Sequence, residues 1–277
     1  MIIKEKKEND LTFFMIESDW SGGSILGGQI WEPHITKFFE RNLTKESTLV
    51  DVGSNYGWHA ILSHNLCKEV YSYEPQKLIY DQQLKSIEKN NIRNIKLFNY
   101  GIGDVNENKN MRPIDYNSHV HIGDLSVGDG GEPIVVKTLD SLLPNGYDFI
   151  KIDVQGYEKY VLEGSINTIK EFKPIIIIEI ECHQLNRFGY GCDELFILIK
   201  DLGYEIFLLD YHYPSDHVCV HKDKLKEFRE KNQEWIKPLT EVNHLNNNLD
   251  HGVNEKIFFS DEITHNMKRL TTESTNL

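Results

Sequence analysis

The stretch TLVDVGSNYGW, Thr48 to Trp58, constrains this chain more than any other. A short apolar strand runs into a turn with glycines at 53 and 57, and Trp58 to Leu66 then reads as a helix. The alternation recurs downstream. EVYSY (69–73) is a strand, and Gln76 to Asn90 is a helix with Tyr80, Leu84 and Ile87 on one face. IKLFN (95–99), FIKID (149–153) and PIIIIEIE (174–181) are further strands, the last two separated by a helical segment over Tyr157 to Lys170. Leu195, Leu198, Ile199 and Leu202 mark another helix, and Glu205–Asp210 and His217–His221 are two final strands. Strands alternating with helices of this length predict an α/β sandwich around a mainly parallel sheet.

Outside this frame, Trp31, Ile35, Phe38 and Phe39 recur at helical spacing and predict an amphipathic helix over Glu32 to Arg41. Gly101 to Pro133 is polar, rich in Gly and Asp, and reads as a long surface excursion. Ile134 to Lys137 suits a short strand, Leu225 to Trp235 a helix, and EKIFFS one more strand. The expected organisation is a leading segment (1–47), a core (48–222) and a partly irregular C-terminal extension (223–277).

The formal net charge is −13 with no Lys/Arg-rich run, which argues against nucleic acid and anionic membrane as partners. The four cysteines include no C-x-x-C pair, so free thiols in a reducing compartment are expected. MIIKEKKEND lacks the apolar core of a signal peptide, and the longest apolar run, Pro174 to Ile180, is too short to span a bilayer. A soluble, cytoplasmic protein is expected.

In a doubly wound sheet, ligands bind beyond the carboxyl ends of the strands, where the glycine turn lies. A dinucleotide fingerprint would need glycine where Asn55 stands, and a P-loop would need Gly-Lys-Ser/Thr after its turn. Asp51 heads the turn and would repel phosphate. Glu74 ends the next strand, 23 residues on, the usual place for a carboxylate that accepts ribose hydroxyls. An adenosine ligand with positive charge and no phosphate is S-adenosyl-L-methionine, whose carboxylate suits the N–H groups that open the helix. The alternative is that the glycines merely make a tight turn capped by Asp51.

IWEP, LVDVGSNYGWHA, YSYEP, VVKTLDSLL, FIKIDVQGYEKYVLEG and KPIIIIEIE occur in order between Gln29 and Glu181. Together they resemble the FkbM-type methyltransferases, a branch of the class I S-adenosylmethionine-dependent fold. The resemblance implies a Rossmann-like sheet of seven strands with the last antiparallel, and methyl transfer to oxygen, in many members on sugar hydroxyls. Carried onto this chain, Asp51, Gly53, Ser54, Asn55 and Gly57 would surround the methionine end of the cofactor. Glu74 would bind ribose, Asn99, Gly101 and Ile102 would flank adenine, and Asp153 would face the methyl group and acceptor. Where the family pattern has D-V-E-G-x-E, this chain reads DVQGYE, so Gln155 replaces a carboxylate while Glu158 keeps the second acid. An amide there still hydrogen-bonds a sugar hydroxyl.

An alcohol oxygen attacks poorly while it keeps its proton, so a general base is expected. Asp153, Glu181 and His183 are the candidates at this sheet edge. Asp153 reads alternatively as a helix cap, and His183 as a polar strand end. Glu158 reads as an acid in a first helical turn, His59 as packing, and Trp31 as a helix anchor. His119 and His121, in the excursion, are candidates for the acceptor pocket. Mg²⁺ held by Asp153 and Glu181 is possible, with metal independence favoured because Gln155 interrupts the acids. The rival readings are an NAD(P)-dependent oxidoreductase, which the missing middle glycine opposes, and a non-catalytic cofactor-binding module.

Overall fold

The computed structural model describes residues 1–111, 125–128, 130–143, 145–209, 215–238 and 255–257. The chain opens with a hairpin, β1 (Ile3–Glu8) and β2 (Leu11–Ile16), turned by Asn9 and Asp10 at φ 48° and 66°. Asn and Asp tolerate this left-handed conformation, which two-residue hairpin turns require. Helices α1 (Trp20–Leu26) and α2 (Pro33–Asn42) lead into the sheet. Neither the hairpin nor α1 was expected from the sequence.

There follow β3 (Thr48–Val52), α3 (Trp58–Ser63), β4 (Glu69–Tyr73), α4 (Lys77–Lys89) and β5 (Ile95–Phe98). The excursion then contributes β6 (Gly101–Ile102) and β7 (Glu107–Asn110), which flank β8 (Pro133–Lys137) in a separate three-stranded sheet. It is therefore partly built into structure rather than wholly a loop. After α5 (Leu139–Leu142) come β9 (Phe149–Ile152), α6 (Glu158–Glu163), α7 (Ile166–Phe172), β10 (Ile175–Glu179) and α8 (Cys182–Leu185). The helix expected over 157–170 is thus two, broken at Gly164 and Ser165. The chain closes with α9 (Cys192–Asp201), β11 (Tyr204–Leu208), β12 (Asp216–His221), α10 (Leu225–Asn232), β13 (Ile236–Pro238) and β14 (Glu255–Ile257).

Seven strands run in the order β11-β12-β10-β9-β3-β4-β5. All neighbours are parallel except β12, the last of the seven, which is antiparallel to both β10 and β11. This is the sheet that the sequence resemblance implied. Beyond β11, β14 and β13 extend it to nine strands.

Alternate residues enter opposite cores, as a two-residue period requires. Leu49, Phe149 and Ile177 pack on one face, and Val50, Val52, Ile150, Ile152, Ile176 and Ile178 on the other. With both faces covered, the strands read as continuous apolar runs. Phe13, Met15 and Ile16 of the hairpin are fully buried in the first core. The backbone amides of Thr12 and Phe14 donate to Asn90 Oδ1 and Ser86 Oγ, tying β2 to α4.

Cys182 and Cys192 form a disulfide, which corrects the expectation of four free thiols. Short α8 and the turn after it bring the two Cα atoms to 5.2 Å, which the ten-residue spacing alone does not announce. Cys67 and Cys219 are free and buried. No helix among the described residues is long and apolar enough to cross a membrane.

Candidate active site

At the carboxyl end of β3 the chain makes a turn that only particular residues allow. Gly53 lies at φ 78°, and a Cβ there would stand 1.9 Å from the carbonyl oxygen of Asp153. The Gly53 and Ser54 amides donate to Tyr73 O at 3.0 and 3.1 Å, and the Asn55 amide donates to Glu74 Oε2 at 2.9 Å. Gly57, at φ 76°, abuts the Gln83 side chain and precedes α3. A second turn, after β9, holds Gln155 at φ 58° and Gly156 at φ 102°. Glu158 Oε1 accepts the amides of Val154 and Gly156, so this acid braces the turn, in keeping with its structural reading.

Two cavities meet across the first turn and share Gly53, Asn55, Asp153 and Gln155. The one on the β4 side is walled by Tyr73, Glu74, Tyr100, Gly101, Ile102 and the excursion's Met111, Leu125 and Val127. The other, about 290 Å³, lies between the turn, the ends of β9 and β10, and the segment before β3.

The expected residues divide accordingly. Gly53, Ser54 and Asn55 line the larger cavity, whereas Asp51 and Gly57 line neither. Asp51 is 1% exposed within β3, and burial raises its carboxyl above the usual range, against the pull of Lys151 and His59. Glu74 and Gly101 and Ile102 border the smaller cavity. Asn99 does not. Its amide donates to Glu74 O and Pro75 O, clamping the backbone beneath, and Tyr100 takes the place expected of it. His119 and His121 lie outside the described residues.

Glu74 is 3% exposed, and its two oxygens accept the amides of Gln76 and Asn55. Burial outweighs these bonds and, with Asp51 and Asp153 nearby, pushes its carboxyl up to about 7. Each oxygen retains a lone pair.

The larger cavity gathers charge that the sequence reading missed. Lys151, 4% exposed in β9, donates to Asp153 Oδ2 at 2.9 Å. Burial opposes its charge, but Asp153, Glu32 and Asp51 outweigh that and hold the amine above the ordinary lysine value. The signal was a lysine inside the apolar strand FIKID. Gln155 Nε2 donates to Asp153 Oδ1 and Glu179 Oε2, both at 2.9 Å, and its Oε1 accepts from Gln184. Burial, then the neighbouring Asp153, Asp216, Glu181 and Glu158, raise Glu179 well above the carboxylate range. Beyond Glu179 the chain leaves the strand and turns into α8. Glu181 Oε1 accepts the Ser215 hydroxyl, and His183 lies 3.3 Å from Glu181 Oε2 with its side chain 66% exposed at the rim.

The opposite wall comes from the N-terminal segment. Trp20 and Trp31 meet edge to face at 5.6 Å, and Glu32 Oε2 lies 2.7 Å from His59 Nε2. Trp58 and His59 complete this wall. Among the described residues there is no cluster of three or more His, Cys, Asp or Glu arranged to hold a metal.

The profile of the Methyltransferase FkbM domain matches residues 51–206. Among solved structures, Methyltransferase FkbM from Methylobacillus flagellatus KT aligns at 16% identity over 75% of this chain and 48% of its own, with a TM-score of 0.46. This chain thus spans about half the length of that protein. An rRNA methylase from Streptococcus thermophilus aligns at 14% identity over 70% and 98%, with a TM-score of 0.42. M. jannaschii TYW2, solved in complex with AdoMet, aligns at 14% over 79% and 84%, with a TM-score of 0.41. A comparison with curated proteins finds no match.

Proposed function

Because this chain belongs to the FkbM methyltransferase family, we propose that it transfers a methyl group from S-adenosylmethionine to a hydroxyl of a sugar or glycan. The observation that carries the reading is the pair of cavities joined across the Gly53–Asn55 turn, one suited to a nucleoside and the other to a polyhydroxylated acceptor.

The nucleoside side fits the cofactor through Glu74, whose remaining lone pairs would take ribose hydroxyls, and through the apolar walls Tyr100, Ile102, Met111, Leu125 and Val127. The cradle at Gly53, where no Cβ fits, and the buried Asn55 Oδ1, which has no hydrogen-bond partner among the described residues, suit the amino-acid end. The bound cofactor supplies an electrophilic methyl group. The protein aligns the acceptor with it and removes the acceptor's proton.

On the acceptor side, Trp20 and Trp31 offer aromatic faces for the apolar side of a sugar ring. Glu32, Asp153, Gln155, Glu181 and His183 offer hydrogen-bonding groups for its hydroxyls. A wall so acidic, on a chain of net charge −13, favours a saccharide over a nucleic acid. Metal independence is part of the proposal. The Gln155 amide already bridges Asp153 and Glu179, and Lys151 supplies a cation to Asp153. A cytoplasmic setting is also proposed, where a reducing compartment would hold Cys182 and Cys192 as thiols rather than as the disulfide of this structure. Alkylation of thiols in freshly lysed cells reads that state.

Incubation with methyl-labelled cofactor and a panel of sugar acceptors, with and without chelator, tests the function. Label in a sugar methyl ether, undiminished by chelator, is the expected result. Label in no hydroxyl acceptor would overturn it.

A further inference from the structure

Resting on the methyl-transfer reading above, we infer that His59 is the general base for the acceptor hydroxyl and that Glu32 is its positioning residue. His59 follows the glycine turn directly, in the first turn of α3, and lines the larger cavity beside Asn55 and Trp58. Its Nε2 is 2.7 Å from Glu32 Oε2. Burial works against the Glu32 charge, but the His59 hydrogen bond, Lys151 and His34 overcome it and hold the carboxyl at about 2. Glu32 Oε2 therefore accepts from His59 Nε2, and in the neutral form of the imidazole that bond leaves the lone pair on Nδ1.

His59 Nδ1 is buried and has no hydrogen-bond partner among the described residues. Trp58 Nε1 and Asn55 Oδ1, on residues that line the same cavity, share that condition. Leaving such groups unsatisfied is costly, and the three belong to residues that line one cavity, which points to a ligand that pairs with them. Glu32 itself holds φ 40° ahead of α2, an uncommon conformation for a residue with a Cβ, and strain of this kind concentrates at functional sites.

The other candidates at this edge already hold partners, though their carboxylates keep lone pairs for the acceptor's hydroxyls. Asp153 accepts from Lys151 on one oxygen and from Gln155 on the other. Glu179 is held by Gln155, and Glu181 by Ser215 and His183. His183 sits at the solvent rim. In the step, the acceptor oxygen bonds to the methyl carbon as the carbon–sulfur bond breaks. The electron pair leaves with sulfur, and the hydroxyl proton passes to His59 Nδ1 and then to water.

The charged groups bearing on His59 are Glu32 before α2, Asp51 on β3 and Lys151 on β9, with His34 acting through Glu32. The test compares His59→Asn and Glu32→Gln with the wild type in cofactor calorimetry, thermal unfolding and single-turnover methyl transfer across pH. His59→Asn is expected to lower the transfer rate about 10²- to 10⁴-fold, to erase the acid limb of the pH–rate profile, and to leave cofactor affinity within about twofold. Glu32→Gln removes the carboxylate charge behind Nε2, although its own Oε1 can still accept there, and is expected to slow transfer while the fold holds. It carries the test alone if His59→Asn does not fold. Rates within about threefold of wild type with the acid limb intact, in a wild type that does transfer methyl, overturn the base and leave the function standing. A wild type that methylates no hydroxyl overturns both.

Discussion

The side-chain amide of Gln155 donates to Asp153 Oδ1 at 2.9 Å, and the same nitrogen reaches Glu179 Oε2 at 2.9 Å. At the position where the resemblance led to the expectation of a glutamate, the amide joins two carboxyl groups that would otherwise repel each other. Gln155→Glu replaces that donor with a third negative charge. It should destabilise the protein by about 1–3 kcal/mol at pH 8, and millimolar Mg²⁺ or Ca²⁺ should restore part of the loss while leaving the wild type unmoved. Thermal unfolding with and without cation reads this, and an unchanged midpoint in the variant would remove Gln155 as a bridge.

Glu158 gives a pH dependence. Burial, against backbone hydrogen bonds from Val154 and Gly156, pushes its carboxyl from 4.5 to about 7. Between those values the folded protein holds a proton that the unfolded chain has lost, so stability falls as pH rises through the window. The change amounts to about 3 kcal/mol at most. Glu74 shifts in the same direction. Glu158→Gln keeps an acceptor for the two amides and cannot ionise, so it should flatten its part of the slope. Urea unfolding at pH 5 and pH 7.5 measures the difference between the two proteins, and equal slopes would contradict the assignment.

Trp20 is 56% exposed at the cavity mouth. Trp20→Ala should raise KM for a sugar acceptor roughly tenfold, from about 1.5 kcal/mol of lost aromatic contact, with cofactor affinity intact. Steady-state kinetics against acceptor concentration decides, and an unaltered KM would take Trp20 out of acceptor binding.

At Gly53 an added methyl would meet Asp153 O at 1.9 Å on a backbone at φ 78°. Gly53→Ala should therefore cost several kcal/mol and weaken cofactor binding, because the turn must open to admit the methyl. Calorimetry and unfolding together check it; wild-type values in both would mean that the turn is not close-packed.

The parallel core was readable because buried strands such as TLVDV and PIIIIE have no other way to satisfy so many apolar side chains, and because glycine turns punctuate them. Glu74 and the 53–55 turn were readable for the same reason, being local in the chain. The hairpin was missed because its strands, IKEKKE and LTFFMI, alternate weakly and their turn residues, Asn9 and Asp10, read as ordinary polar sequence. Which side chain turns outward past a strand end was not readable, because it depends on a backbone clamp: Asn99 donates to Glu74 O and Pro75 O, and Tyr100 borders the cavity. Lys151 and Glu32 were passed over, and His59 was read as packing, because their contacts are relational. They are separated by up to 119 residues in the chain and acquire meaning only when the sheet sets β9 beside β3 and α2 closes over the turn.

The central claim is that the groove across β3 and β4 receives a cationic adenosine ligand held by Glu74. Isothermal titration of the wild type and Glu74→Ala with S-adenosylmethionine, and of the wild type with NADH, tests it most directly. The account predicts one-site binding of S-adenosylmethionine that is lost or strongly weakened in Glu74→Ala, and no heat with NADH. Binding of NADH with silence toward S-adenosylmethionine would contradict it.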